Sequence, residues 1–479
     1  MSEMELSMTE TRSTRVAIVG AGLAGLSAAY TLQKYGAEYV LFEANAERVG
    51  GRVWSAQFAN GQTGEHGAER IDTRHTDLIA LANELGLALD DHEEQFGDGS
   101  QTIIRYRGET RRDHEVAKER MGVGKILSKE IAERKIVFEQ GDMAGTANKE
   151  AIEFDSQSVR DWVQSHVPGG ATSPAGASLL SDVATLTGRE ANEVSSMALL
   201  DEWHTLVGFL TGEMDDPENL ADARYRVRGG NGKIAESLRA ALDDDRVLLG
   251  HRLIRILRNE DATYTLDFAG GSRVIADRVI LALPYPALRR VDISEAGFSK
   301  DKHSIIREFE MGAVTKMLLQ FNGRLSDFGL WNGFFFNDSP RFTSFESTGQ
   351  QTGDTTVLTV YFGGAIAATL PVEKAHGDAP PAVYEPVLDA LEAALPGIRA
   401  RFTGETTLDV WSDDEYIHGA YSVFRPGQYT RFLGIIGEPE GGVFFAGEHT
   451  SKQHHGFMNG AVESGIEAAT AVMADLSEV

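Results

Sequence analysis

Cysteine does not occur among the 479 residues of the chain. Its absence excludes disulfide bonds, thiolate catalysis, iron–sulfur clusters, zinc held by thiolates and any cofactor attached through a cysteine sulfur. Basic residues are scarce as well, since 45 Lys and Arg are set against 72 Asp and Glu, a net charge of −27. A surface this acidic repels other polyanions, so we expect neither a nucleic-acid partner nor an anionic membrane partner.

Long apolar runs are also missing. No stretch approaches the roughly 18 apolar residues of a transmembrane helix, and the polar N-terminus MSEMELSMTETRSTR lacks the apolar segment of a secretory signal. These absences favour a cytoplasmic protein with no membrane partner. What the chain does contain is an apolar fraction of 42%, enough for a sizeable buried core. Its length predicts two or three domains at about 150 residues each.

The start of the chain predicts a β-α-β unit. Residues 15–19, RVAIV, form a β-branched run that ends at glycines, which is typical of a buried strand. Apolar residues then recur at helical spacing up to Gly36, and residues 38–42, EYVLF, predict a second strand. A helix that connects two strands over so few residues makes the strands parallel neighbours.

A glycine motif lies at the junction of the first strand and the helix. Gly20, Gly22 and Gly25 follow the pattern G-x-G-x-x-G. The first glycine permits the tight turn, the second lets a pyrophosphate approach the backbone, and the third allows the helix to pack on the strand. Glu43 ends the second strand, where a carboxylate accepts hydrogen bonds from both ribose hydroxyls and repels a 2′-phosphate. The unit therefore predicts NAD or FAD and disfavours NADP.

Two further motifs distinguish between these cofactors. Residues 43–52, EANAERVGGR, place two glycines and an arginine directly after the ribose carboxylate, and residues 445–450 and 455–461, FAGEHT and HGFMNGA, lie near the far end of the chain. In this order the motifs resemble the signatures of the flavin amine oxidase family. The resemblance implies FAD. Because Ala420 stands where some relatives carry the cysteine that bonds the flavin, we expect the FAD to be non-covalent.

The resemblance also assigns residues to the FAD site. It implies that Glu448 hydrogen-bonds the ribityl chain and that the backbone near Met458 faces the flavin. The residues expected to bind the cofactor are Gly20, Gly22, Leu23, Ala24, Gly25, Glu43, Ala44, Arg48, Gly51, Arg52, Gly67, Ala68, Glu69, Arg70, Leu253, Glu448, Phe457, Met458 and Ala461.

The same resemblance implies an α/β fold. A doubly wound, Rossmann-like FAD-binding domain is interleaved with an α+β substrate-binding domain and a helical insertion. The expected ranges are 14–70, 228–297 and 405–479 for the FAD domain, 71–114 and 298–404 for the substrate domain, 115–227 for the helical part, and 1–13 for a disordered tail. Residues 167–178, VPGGATSPAGAS, predict a flexible connection inside the helical part. We expect a homodimer or a higher homo-oligomer.

Arg70, in the segment GAER at 67–70, bears on the identity of the substrate. It stands where L-amino-acid oxidases of the family carry the arginine that binds the substrate α-carboxylate. A guanidinium offers a planar fork that suits this group and repels a positively charged amine. The alternative is an arginine paired with Glu65, Glu69 or the cofactor phosphates.

Other residues point to the chemistry and to the pocket walls. By resemblance, Lys316 contacts flavin N5 through a water and favours electron transfer to O₂; the alternative is a solvated lysine on an edge strand. Tyr421 and Phe457 match the two aromatic walls of amine oxidases, with Gly456 beside them in the substrate site, and the alternative is a pair of core residues. The histidines at 454–455 have no second ligand cluster at a suitable spacing, so no metal is expected.

These observations predict an FAD-dependent oxidase that deaminates L-α-amino acids to 2-oxo acids, ammonia and hydrogen peroxide, with O₂ as the acceptor. Arg70 favours an amino acid, whereas the aromatic pair favours an amine. The arginine weighs more because a buried charge needs a partner and buried rings need none. A monoamine or polyamine oxidase is one alternative, and a flavin-binding protein without turnover is the other.

Overall fold

Two eight-stranded sheets form the framework of the fold. The computed structural model describes residues 11–92, 101–136, 147–200, 223–324, 327 and 331–478. Helices and strands alternate through these ranges, so the predicted α/β class is confirmed.

The helices are α1 Leu23–Lys34, α2 Thr76–Glu84, α3 Asp113–Arg134, α4 Lys149–Asp155, α5 Val159–His166, α6 Pro174–Thr187, α7 Gly232–Ala241, α8 Tyr285–Leu288, α9 Lys300–Glu308, α10 Pro381–Ala394, α11 Tyr429–Phe432 and α12 Met458–Glu478. The strands are β1 Thr11–Val19, β2 Tyr39–Phe42, β3 Ser55–Gln57, β4 Thr63–Glu65, β5 Leu89–Asp91, β6 Gln101–Tyr106, β7 Glu109–Arg112, β8 Tyr225–Val227, β9 Val247–Leu248, β10 Leu253–Arg258, β11 Tyr264–Phe268, β12 Arg273–Leu281, β13 Asp292–Glu295, β14 Glu310–Met311, β15 Val314–Asn322, β16 Trp331–Asp338, β17 Arg341–Glu346, β18 Thr355–Gly363, β19 His376–Gly377, β20 Phe402–Val410, β21 Ser422–Val423 and β22 Val443–Phe445.

The first sheet contains the parallel pair that the start of the chain predicts. Its strand order is β13-β10-β11-β12-β1-β2-β9, and β22 also pairs with β12. Strand β1 runs parallel to both of its neighbours, with Ile18 opposite Leu41 and Ile280. These positions are fully buried, as expected of a strand covered on both faces. The β-α-β prediction is therefore confirmed.

The beginning of β1 corrects the predicted disordered tail of residues 1–13. The strand starts at Thr11, and residues 11–13 pair with residues 273–275 of β12. The hydrogen bonds of this ladder order a polar segment that has no apolar pattern of its own. The first ten residues of the predicted tail lie outside the described residues.

The second sheet also has eight strands. Its order is β19-β20-β15-β18-β17-β16-β6-β7. Buried Leu319, Phe335, Phe342 and Val360 contribute to the core on one of its faces. Strand β20 belongs to this sheet up to Val410, so the sheet continues past residue 404, where the substrate domain was expected to end.

The helical part contains α3 to α6, and one prediction for it is wrong. Residues 167–178 do not form a flexible connection, because α6 begins at Pro174 within them. Ser173 caps this helix by accepting a hydrogen bond from the Gly176 N–H at 3.1 Å, and Pro174 suits the first helical position, where no N–H is needed. The range predicted as helical also ends in strand β8, which pairs with β5.

Helix α12 holds α1, and with it the glycine motif, in place. At Gly465 an added Cβ would lie 2.3 Å from the Ala24 carbonyl oxygen, so the two helix backbones touch there. None of the helices in the described ranges is long and apolar enough to cross a membrane.

Candidate active site

A cavity of about 800 Å³ extends from the carboxyl end of β1 to the second sheet. Gly20 at its start has φ +99°, and an added Cβ would lie 2.6 Å from the Ala282 carbonyl oxygen, so only glycine fits this turn. Gly22 caps α1, and nothing lies within 4 Å of the position a Cβ would take. The N–H groups of the first helical turn therefore face open space that suits an anionic group.

Glu43 lies at the end of β2 on the wall of this cavity. Its carboxylate accepts hydrogen bonds from the backbone N–H of Ala21 at 2.6 Å and of Asn45 at 2.8 Å. Burial raises the pKa of Glu43, and the two N–H donors oppose that shift. The carboxylate is thus fixed beside the glycine turn, where the sequence motif places the ribose.

The segment EANAERVGGR folds back onto the glycine turn. Gly50, with φ +97°, donates its N–H to the Ala21 carbonyl at 2.8 Å. Arg48 donates from Nη1 to the Gly51 carbonyl at 2.7 Å, and its guanidinium lies 4.5 Å from the centre of the Trp54 ring. The two glycine motifs therefore form one wall of the cavity.

Glu448 joins three distant segments of the chain. It accepts hydrogen bonds from Arg52 Nη1 at 2.7 Å, from Ser422 Oγ at 2.6 Å and from the Gly456 N–H at 2.6 Å. Burial would raise the pKa of Glu448, but Arg52 holds it below its usual value. Arg52 also donates to the Ala420 carbonyl at 2.6 Å. This ion pair, between a buried carboxylate and a partly buried guanidinium, ties the last motif to the second on the cavity wall.

The residues predicted for the site come together on this one cavity, with a single exception. Those that line it are Gly20, Gly22, Leu23, Ala24, Glu43, Ala44, Arg48, Gly51, Arg52, Gly67, Ala68, Glu69, Arg70, Leu253, Lys316, Tyr421, Glu448, Gly456, Phe457, Met458 and Ala461. Gly25, predicted as a cofactor-binding residue, lies behind the wall. An added Cβ there would lie 1.8 Å from the Gly20 carbonyl oxygen, so its role is close packing of helix and turn.

Sequence reasoning missed the walls supplied by the second sheet and by the helical part. These residues include Ile104, Asp182, Thr185, Leu186, Phe334, Phe336, Phe345 and Tyr361. The aromatic run at 334–336 was a visible strand signal. Nothing in the sequence, however, fixes which sheet face borders the cavity, because that depends on how the sheets pack.

Arg70 is partly buried on the cavity wall. Its Nη2 donates to the backbone carbonyl of Glu346 at 3.0 Å. Burial lowers the pKa of Arg70 to about 10, while the neighbouring carboxylates of Glu69 and Glu346 oppose that shift. The guanidinium therefore remains charged at neutral pH, on the wall of a cavity that Phe334, Phe345 and Tyr361 also line.

Lys316 lies on β15, between β18 and β20 near the middle of the second sheet. The alternative of a solvated lysine on an edge strand is wrong, since Lys316 is only 1% exposed. Its Nζ donates to Glu69 Oε2 at 2.6 Å and to the Gly67 carbonyl at 2.8 Å. The ammonium is thereby held on the cavity wall by a buried ion pair.

Tyr421 and Phe457 both reach the cavity, so neither is only a core residue. The Tyr421 hydroxyl donates to the Leu186 carbonyl at the end of α6. The Phe457 ring lies 5.0 Å from the ring of His75. His455 lines the same cavity and packs 5.1 Å from the ring of Phe424.

Within the part of the chain that the structure describes, no group of three or more His, Asp or Glu side chains is arranged to hold a metal. His454, which raised the question, pairs through Nδ1 with Glu463 at 2.9 Å.

Nearly the whole chain is similar in sequence to known oxidases. The profile of the flavin containing amine oxidoreductase family matches residues 23–473. An L-amino-acid oxidase of Vipera ammodytes ammodytes is 26% identical over 472 residues, which cover 95% of this chain and 91% of the relative. An L-amino-acid oxidase of Siganus canaliculatus is 28% identical over 481 residues, which cover 96% of this chain and 85% of the relative.

Solved structures share the fold. A putrescine oxidase bound to putrescine superposes with a TM-score of 0.78 at 23% identity, covering 97% of this chain and 100% of that one. Cyclohexylamine oxidase from Brevibacterium oxydans IH-35A gives a TM-score of 0.81 at 24% identity, covering 97% of this chain and 99% of that one. From the profile match over nearly its whole length, the chain belongs to the flavin-containing amine oxidoreductase family.

Proposed function

We propose that the flavin of this enzyme is FAD, held without a covalent bond. The support is the fit of the residues present. The open backbone at Gly22 and the first turn of α1 suit a pyrophosphate, and Glu43 suits a ribose. At the position of covalent attachment in some relatives stands Ala420, whose side chain has no group that bonds a flavin.

The two glycines of the motif give a test of this proposal. Gly22→Ala is expected to weaken FAD binding about tenfold or more, roughly 1.4 kcal/mol, while leaving the melting temperature of the apoprotein unchanged. Gly22 has φ −70° and ψ −179°, which alanine adopts, and the new methyl group would enter only the space proposed for the pyrophosphate. FAD titration by flavin fluorescence and thermal unfolding of the apoprotein measure the two quantities.

Gly25→Ala is the matched control, because its methyl group would meet the Gly20 carbonyl oxygen at 1.8 Å with or without a cofactor. This variant is expected to lower the melting temperature of the apoprotein itself. If Gly22→Ala binds FAD as tightly as the wild type does, the proposed pyrophosphate site is wrong.

We further propose that the enzyme oxidises L-α-amino acids to 2-oxo acids. The observation that carries this proposal is the charged, partly buried Arg70 on the wall of the cavity. A guanidinium on the wall of a cavity binds a carboxylate with two parallel hydrogen bonds and repels a cationic amine. The sequence similarity to L-amino-acid oxidases supports the same assignment.

In the proposed reaction each group has one task. Arg70 binds the carboxylate, and Tyr421 and Phe457 bound the cavity and exclude water from the neutral amine. When bound, FAD would supply the two-electron redox chemistry, with O₂ as the final acceptor of the electrons removed from the amino acid. The imino acid released is hydrolysed, so that amino acid, O₂ and water give 2-oxo acid, ammonia and hydrogen peroxide.

A second candidate is an oxidase of amines that lack a carboxylate. Two observations favour it: the aromatic side chains of Tyr421 and Phe457 on the cavity wall, and the close structural likeness to putrescine and cyclohexylamine oxidases. In that case Arg70 serves only the packing around Glu346, to whose carbonyl it donates.

Paired substrates separate the two candidates. Each L-amino acid of a panel and the amine formed by its decarboxylation are mixed anaerobically with the holoenzyme, and the loss of flavin absorbance is followed. We expect at least one amino acid to reduce the flavin about tenfold or more faster than its amine, because the amine lacks the contact with Arg70. Faster reduction by the amines supports the second candidate. No reduction by either class supports a flavin-binding protein without turnover.

A further inference from the structure

The ion pair between Lys316 and Glu69 is almost completely shielded from water. Lys316 is 1% and Glu69 is 8% exposed. An ammonium has three N–H donors. On Lys316, one donates to Glu69 Oε2 at 2.6 Å and another to the Gly67 carbonyl at 2.8 Å. Both acceptors lie in the same short segment, and the lysine side chain also lines the cavity.

Glu69 is itself firmly held. Its Oε1 accepts a hydrogen bond from Ser347 Oγ at 3.1 Å and lies 3.8 Å from Arg226 Nη1. Burial would raise the pKa of Glu69, but Lys316 and Arg226 lower it to about 2. The carboxylate is therefore ionised at neutral and alkaline pH, and it supplies the negative charge that a buried ammonium requires.

The other charged and titratable groups around Lys316 are engaged elsewhere. Asp409 lies opposite Lys316 on β20, but its carboxylate oxygens pair with His66 Nδ1 and His376 Nδ1, each at 2.8 Å. Tyr361 lies opposite on β18, and burial raises the pKa of its hydroxyl. The other cations beside Glu69 are Arg226 and Arg70, and both favour the ionised form of this carboxylate. Glu69 is thus the carboxylate whose loss would most affect the protonation of Lys316.

We infer that Glu69 is a positioning residue that keeps Lys316 in its ammonium form and directs the remaining N–H toward the cavity. The inference rests on the proposed oxidase function and on the role that the family resemblance implies for Lys316, that of a cation beside the flavin during electron transfer to O₂. It assigns Lys316 the role of a fixed hydrogen-bond donor and excludes it as the base that deprotonates the substrate. Both of its bonded neighbours, a carboxylate and a carbonyl, need it as a donor.

Glu69→Gln tests this inference through the pH dependence of flavin reoxidation. The holoenzyme is reduced with dithionite and mixed with oxygenated buffer at pH values from about 6 to about 10. This range lies below the ordinary lysine pKa of about 10.4, so it covers the titration of a lysine whose pKa is lowered. Without the carboxylate the buried ammonium lacks its counter-charge, so we expect the variant to lose this proton at a lower pH than the wild type does. We expect the reoxidation rate of Glu69→Gln, relative to the wild type, to fall about tenfold as the pH rises through this titration.

Two variants serve as controls. In Glu69→Gln/Lys316→Met we expect no fall of the reoxidation rate with pH relative to the wild type, because the titrating group is gone. Glu385→Gln removes a carboxylate from a surface pair with Arg399 and is expected to follow the wild type at every pH. If Glu69→Gln also follows the wild-type profile, or if its additional fall persists in the double variant, the inference is overturned.

A second readout needs no flavin. In the folded Glu69→Gln apoprotein the unpaired lysine prefers its neutral form, whereas the unfolded chain keeps the proton until about pH 10.4. The unfolded state therefore binds more protons, and the melting temperature of this variant should rise with pH relative to the wild type. The double variant should lack the rise. Identical pH dependence of all three proteins would overturn the inference.

The conservative variant Glu69→Asp covers the case in which Glu69→Gln does not fold. It keeps the negative charge, so we expect a slower reoxidation with the wild-type pH profile; a reoxidation rate that falls with pH more steeply than that of the wild type would count against the inference. Because dithionite replaces the substrate, a failure of this prediction is distinct from a failure of the amino-acid assignment.

Discussion

Replacing Arg70 with alanine is expected to raise the KM for L-α-amino acids by about 10- to 100-fold, since a charge-assisted, bidentate contact contributes roughly 1.5–3 kcal/mol. The same change should leave the KM for the corresponding amines unchanged or lower it, because the cation that repels them is gone. Steady-state peroxide release with matched amino acids and amines measures both effects. Because only the KM for amino acids should rise, the pair of substrates is more informative than either one alone.

Two further arginine variants make this result specific. Arg70→Lys keeps a charge but loses the planar fork, so its KM for amino acids should lie between those of the wild type and Arg70→Ala. Arg401→Ala removes a surface arginine that pairs with Asp327 at 2.6 Å, and it should behave as the wild type. Flavin content and melting temperature are measured for each, because Arg70 also donates to the Glu346 carbonyl. An unchanged KM for amino acids in a folded, flavin-loaded Arg70→Ala would remove the amino-acid assignment.

Lys316→Met is expected to slow flavin reoxidation by O₂ about 100-fold, the size of effect found when one preorganised donor is removed from a developing negative charge. Reduction of the flavin by substrate should change far less, because the lysine makes no contact that the hydride transfer uses in the proposed reaction. Stopped-flow absorbance follows the two half-reactions separately. Equal slowing of both would contradict the role proposed for this lysine.

The chain offers a matched control for removing a buried lysine. Lys302 is also nearly inaccessible to water, at 2% exposure, and its Nζ donates to the carbonyls of Ile436 and Glu438, each at 2.8 Å. It does not line the cavity. Lys302→Met should therefore lower the melting temperature while leaving the reoxidation rate of the folded enzyme unchanged. If Lys302→Met lowered both the melting temperature and the reoxidation rate, the reoxidation rate would report only on general stability.

Local signals were sufficient for the part of the site made by consecutive residues. The turn at Gly20 to Gly25 and the carboxylate at Glu43 lie within one β-α-β unit, where strand, helix and turn chemistry determine the geometry. The same reasoning failed at residues 167–178, because a capping serine followed by proline starts helix α6 despite the many small residues. The composition of this segment indicated a loop, but the order of its residues, a serine followed by a proline, starts a helix.

By itself the sequence determined the family, the dinucleotide turn and which side chains to examine, since each of these depends on spacing along the chain. Only the tertiary structure decided that Lys316 is buried against Glu69, that Gly25 lies behind the cavity wall, and that Phe334 and Phe345 face the cavity. These facts depend on how two sheets from separate parts of the chain pack together. The protonation of a buried group is set by neighbours that are distant in sequence, so no local pattern contains it.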